Sequence, residues 1–210
     1  KAVVKERQEK KEATTSKRWE KQSKKKGTPE EVEHAIFSAM RKAVADFGMI
    51  NEGDRVLVAV SGGKDSLTLL NMLLKLRDFY PFKFDIGAVT IDPQTIEYNP
   101  APLKDYMKQL GVEYFYESQP LVRLATETNP SSICSWCSRM KRGILHNTAV
   151  RNGYTVLAMG QHLDDCAESF LMYAFHNGKL DTIRANVTVR YEANLVLCIN
   201  FEYTYSNPPS

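Results

Sequence analysis

From Arg55 to His176 the hydrophobic period of the chain keeps changing, and that alternation limits the folds open to it. Arg55-Val-Leu-Val-Ala-Val60 is a short unbroken apolar run, as expected of a strand buried on both faces of a parallel sheet. Leu67–Phe79 has helical spacing, Phe82–Asp92 reads as a second strand, and Pro102–Leu110 as a helix closed by Gly111. Val112–Glu117 is a third strand, Ser138–Asn152 a helix, Thr155–Gly160 a fourth strand, and Asp164–His176 a helix stopped by Asn177-Gly178. Val187–Arg190 and Leu195–Tyr203 read as a terminal strand pair. Strands alternating with helices imply right-handed βαβ units, so the expected class is α/β with a doubly wound parallel sheet. Upstream, Thr28, Pro29 and Glu31 mark a helix start, and apolar residues at helical spacing run from Val32 to Phe47, ahead of Gly48.

Composition excludes several classes. The chain has 210 residues, 43% hydrophobic and 25% charged, enough to bury a core without disulfides. Four Cys are too few for a disulfide framework. No window approaches the run of about 18 apolar residues that a membrane span needs. The net charge of +3 conceals an asymmetry: Lys1–Lys26 has 11 basic and four acidic residues, the remainder 17 basic and 21 acidic. The basic character belongs to an N-terminal arm, which suits either a polyanion such as RNA or a solvated linker. That arm has no apolar core, as a signal peptide would, and its four Glu argue against a transit peptide, so a cytoplasmic location is expected. The expected organisation is an arm over 1–28, a main domain over 29–190, and an incomplete or diverged strand region over 191–210.

Ligands on doubly wound sheets bind at the carboxyl ends of the strands. The strongest signal at that edge is Ser61-Gly62-Gly63-Lys64-Asp65-Ser66, between a buried strand and a helix. Its glycines let backbone approach a phosphate, the helix N-terminus offers unpaired N–H groups, and Ser61 and Ser66 add hydroxyls. A Val side chain at Gly63 is expected to occupy the space of a phosphate and to strain the turn. Lys64 is followed by Asp65, where a Walker A loop has Ser or Thr, so the loop is of another kind.

Two more motifs reach the same edge. Cys134-x-x-Cys137 has metal-ligand spacing, compatible with half a zinc site, a redox pair, a disulfide or inert thiols. Lys141 follows on the same helical face, either as a solvent lysine or as a charge for phosphate or sulfur. Gly160-Gln161-His162-Leu163-Asp164-Asp165 ends the fourth strand. Its acids either complement a helix dipole or hold Mg²⁺ beside a nucleotide. His162 alone reads as a structural histidine, and Asp92, closing the second strand, as a loop acid. Cys166 and Cys198 read as small apolar residues.

Together, Gly53-Asp54-Arg55, Ser61–Ser66, Cys134-Ser-Trp-Cys137-Ser-Arg-Met-Lys-Arg-Gly143, Gly160–Asp165 and Phe175-His-Asn-Gly-Lys179 resemble the tRNA 2-thiocytidine synthetase family of the PP-loop (N-type) ATP pyrophosphatases. The resemblance implies an adenine nucleotide alpha hydrolase-like fold and cleavage of ATP between its α- and β-phosphates. It implies that ATP is held by Ser61, Gly62, Gly63, Lys64, Asp65, Ser66, Asp92, Gly160 and His162, with Mg²⁺, and that Asp65, Lys141 and Asp165 act in catalysis. It implies a [4Fe-4S] cluster on Cys134 and Cys137, with a third Cys in a segment after the last strands. These 210 residues have no Cys in that context, so they are expected to hold a cluster weakly or not at all. tRNA, a sulfur donor (a cysteine desulfurase or sulfide) and a second copy of the chain are the implied partners, with no membrane. The rival readings are a PP-loop ligase with a nitrogen nucleophile and a non-catalytic RNA-binding remnant.

Overall fold

A computed structural model describes residues 27–96, 98–128, 130, 132–161, 163–182, 186–191 and 194–200. Residues 1–26 of the basic arm, His162 and the last ten residues lie outside the described residues, as do the side chains of the terminal strand pair. The chain divides into two compact units, Lys1–Ala35 and Ile36–Ser210. In the first, Thr28 Oγ1 accepts from the Glu31 N–H at 3.3 Å and a Glu31 carboxylate oxygen accepts from the Thr28 N–H at 2.9 Å. This reciprocal capping box starts α1 (Pro29–Phe47) where the sequence signals place it.

The second unit alternates as expected: β1 (Arg55–Ala59), α2 (Lys64–Phe79), β2 (Asp85–Asp92), α3 (Ala101–Leu110), β3 (Glu113–Ser118), α4 (Leu121–Thr128), α5 (Ile133–Arg151), β4 (Val156–Met159), α6 (Leu163–Asn177), β5 (Asn186–Tyr191) and β6 (Asn194–Asn200). The sheet order is β3-β2-β1-β4-β6-β5. All neighbours run parallel except β5, which pairs antiparallel with β6 at the edge. The chain turns one way from β1 to β2 and lies on the other side of β1 at β4, so the switch point is between β1 and β4. Among the described residues no helix is long and apolar enough to cross a membrane.

Both faces of the sheet are covered, which is why its strands read as continuous apolar runs. Val56, Val58, Ile86, Ala88 and Ala158 face one core with Met40 and Val44 of α1, Leu70, Leu73 and Leu76 of α2, and Met107 of α3. Leu57, Val89 and Leu157 face the other, with Leu145 and Ala149 of α5 and with Tyr154. Tyr154 lies over Gly87, where an added Cβ would stand 2.0 Å from the phenol oxygen, so β2 has no side chain there. Leu70, Leu73 and Leu76 are fully buried, each worth about 1.5–3 kcal/mol of transfer free energy.

Two elements differ from the expectation. α4 is an additional helix of eight residues, burying Leu121 and Ala125. α5 begins at Ile133 rather than Ser138, with Ser132 as N-cap accepting from the Ser135 N–H. The cysteine pair therefore lies inside the first turns of a helix, not in the segment that precedes it.

Candidate active site

The Ser61–Ser66 loop joins β1 to α2 and is tied by its own polar groups. Ser66 Oγ donates to the Gly63 carbonyl at 3.0 Å and accepts from the Ser61 N–H at 3.2 Å. Ser61 Oγ lies 3.3 Å from Ser66 Oγ and 3.4 Å from the Gly63 nitrogen, which donates to it. The left-handed residue of the turn is Gly62, with φ +87°. Gly63, the N-cap of α2, is extended at φ −75° and ψ 157°. The strain expected of a side chain at Gly63 is thus misplaced by one residue; an added Cβ there meets only Ser61 Oγ, at 3.4 Å. The first turn of α2 leaves backbone N–H groups without intrahelical acceptors, the feature that suits a phosphate.

Gly160, at the end of β4, meets this loop backbone to backbone. A Cβ on Gly160 would lie 3.1 Å from the carbonyl carbon and oxygen of Asp65 and from Ser66 Cα. With a glycine here the end of β4 meets the start of α2 undisplaced, whereas a Cβ would require that backbone to give by a few tenths of an ångström. Gly160→Ala should therefore push that first turn outward and weaken nucleotide binding at least tenfold, a loss readable by calorimetric titration with ATP. Unchanged affinity would show that the contact does not set the loop.

The loop's own lysine and acid are paired. Lys64 Nζ is 2.7 Å from an Asp65 carboxylate oxygen. Its pKa is raised, first by that hydrogen bond and the charge of Asp65, and further by the charge of Asp165 on α6. Lys64 is a cation at neutral pH, paired with the neighbouring Asp65.

Asp92 ends β2 as a turn-forming acid. One carboxylate oxygen accepts from the Gln94 N–H at 2.7 Å and the other from the Tyr116 hydroxyl. Lys104 Nζ stands 4.0 Å from the centre of the Tyr116 ring. Tyr98, to which the sequence draws no attention, donates its hydroxyl to the Ser61 carbonyl at 3.2 Å.

Cys134, Cys137 and Lys141 share a face of α5 by their spacing of three and seven residues. The far end of α5 is fixed by Arg55 Nη1, which donates to the Asn152 carbonyl at 2.7 Å beside the start of β1. Its first turns therefore point toward the carboxyl edge of the sheet. There Cys137 Sγ lies 3.8 Å from the Leu121 carbonyl oxygen, just beyond β3. Cys134 is exposed, Cys137 half-buried, and both are free thiols. Neither they nor Lys141 share a hydrogen bond or ion pair with the Ser61–Ser66 loop among the described residues. The two thiols fit as part of a cluster's ligand set. Among the described residues no group of three or more His, Cys, Asp or Glu could hold a metal, so these residues do not complete a cluster site. Cys166 is buried, in keeping with its expected core role. The Cys198 side chain and His162 lie outside the described residues.

Comparison with known proteins adds the lineage. A family model described as PP-loop domain matches residues 32–198. A tRNA-cytidine(32) 2-sulfurtransferase of Bordetella petrii is 44% identical over 140 residues, 66% of this chain and 43% of that protein. Another, from Anaeromyxobacter dehalogenans, is 36% identical over 168 residues, 79% of this chain and 58% of that protein. The chain spans about half the length of the curated relatives it matches. Among solved structures, a U34-tRNA thiolase from Methanococcus maripaludis with its [4Fe-4S] cluster matches with a TM-score of 0.64 and 20% identity. That match covers 81% of this chain and 59% of the thiolase, and it supports the fold.

Proposed function

The chain belongs to the PP-loop domain family, and on that premise we propose that it is the ATP-using part of a tRNA 2-thiocytidine-type sulfurtransferase. The observation that carries the reading is the backbone contact of Gly160 with Asp65 and Ser66, which joins a phosphate-type loop to the Asp165 end of β4. Ser61, Gly62, Gly63, Lys64 and Ser66 cradle the phosphates of ATP. Asp65 and Asp165 suit Mg²⁺, whose oxygen preference they meet together with phosphate oxygens, and which would neutralise charge there. The carbonyl oxygen of the target cytosine attacks the α-phosphorus, the bond to the bridging oxygen breaks, and pyrophosphate leaves. Loop amides stabilise the charge that develops on the departing group. Sulfur then adds to the activated carbon and AMP is released. Lys141, on the same helical face as the cysteines, favours the negative sulfur.

The same reading takes tRNA as the partner, with the basic arm neutralising its phosphates. It takes a cysteine desulfurase or sulfide as the sulfur source, a homodimer as the assembled state and the cytoplasm as the compartment. These finer points are supported by the family resemblance alone. Nucleoside mass spectrometry of tRNA tests the whole: cells lacking the gene should lose 2-thiocytidine, and an unchanged 2-thiocytidine level would remove the thiolation reading.

A further inference from the structure

The internal hydrogen bonds of the phosphate loop employ the Ser61 N–H, both groups of Gly63 and the two serine hydroxyls. They leave out the Ser61 carbonyl, which is held from outside. We propose that Tyr98 is a positioning residue for this loop, and that its hydroxyl, by holding the Ser61 carbonyl, aims the Gly62 N–H at the phosphates of the nucleotide. The inference rests on the ATP reading above.

The geometry follows from the peptide plane. In a trans peptide the carbonyl and the next N–H point in opposite directions, so fixing the Ser61 oxygen fixes the Gly62 amide. The Ser61–Gly62 peptide most needs such a restraint, because Gly62 is at φ +87° and glycine crosses easily between positive and negative φ. The Tyr98 donor is itself well placed. Its ring is half-buried, and burial first, then the charges of Tyr114, Asp92 and Tyr116, push its hydroxyl up to about 12. The phenol remains a donor across the neutral range. Tyr98 touches no reacting atom in this scheme; it acts through the loop.

Tyr98→Phe keeps the ring and deletes only the donor. Calorimetric titration of the full chain with ATP and with adenosine, each with Mg²⁺, separates loop orientation from general damage. The variant should bind ATP about three- to tenfold more weakly, as the loss of one neutral hydrogen bond allows. Its affinity for adenosine, which has no phosphates, should be unchanged, and its melting temperature should stay within about 2 °C. Equal ATP affinity in variant and parent would overturn the proposal, as would an equal loss for ATP and adenosine. A parent protein that binds ATP no more tightly than adenosine would overturn the nucleotide reading and this inference together, a result distinct from failure of the variant alone.

Discussion

Asp65→Ala is expected to slow the conversion of ATP to AMP and pyrophosphate by about a thousandfold while the protein stays folded. Asp65 pairs with Lys64 at the start of α2, and the charge of Asp165 on α6 adds to the field that Lys64 feels. In the proposed reaction the two carboxylates would hold Mg²⁺, and charge neutralisation of that kind is worth several kcal/mol, with each 1.36 kcal/mol a factor of ten. The fold loses little. The Asp65 side chain is 44% exposed, and an acid in the first turn of a helix contributes about 0.3–1 kcal/mol through the dipole. Chromatographic measurement of AMP, beside a urea melt, separates the two effects. Asp165→Ala should give a loss of similar size. Normal AMP formation in either variant would show that the carboxylates are dipole complements only. Loss of AMP formation with a collapsed melt would assign Asp65 to the fold instead.

What the sequence revealed of this site depended on how local each signal was. β1, the Ser61–Ser66 loop and α2 could be read because an apolar run, a pair of glycines and a helical period are contiguous. The terminal pair β5 and β6 was legible in the same way, as two apolar runs around a short gap. The choice between Gly62 and Gly63 for the left-handed position was not legible, since two adjacent glycines offer the same freedom and only the path into α2 decides. The eight residues of α4 have too few apolar positions to establish a period. Tyr98 on Ser61, Tyr154 over Gly87 and Gly160 on Asp65 join residues 37, 67 and 95 positions apart. Nothing in a local window distinguishes Tyr98 from an ordinary loop tyrosine or Gly160 from an ordinary strand-ending glycine. The carboxyl-edge convergence was inferred from topology, but the contact that makes it a site is tertiary.

Cys134→Ser and Cys137→Ser should each abolish iron binding by the chain, whereas Cys166→Ser should leave it unchanged. The first two thiols are three residues apart on the first turns of α5, so they can reach one metal. Cys134 opens to solvent, and Cys137 sits beside the carbonyl that begins α4, at the same edge of the sheet as the phosphate loop. Cys166 is 6% exposed on α6, packed like a small apolar residue, and a thiolate there would have to leave its burial to reach iron. Two thiolates do not satisfy a cluster that is normally held by four Cys ligands, or three with one iron left open. Anaerobic reconstitution of these 210 residues should therefore give less than one cluster per chain by iron and sulfide analysis. Whatever iron does bind should depend on Cys134 and Cys137 together, because neither side chain alone is a chelate. Full iron retention in Cys134→Ser would remove the pair from the metal site, and the sulfurtransferase reading would lose its cysteine chemistry. A stoichiometric cluster lost on Cys198→Ser would instead place the third ligand on β6, beside β4 in the sheet.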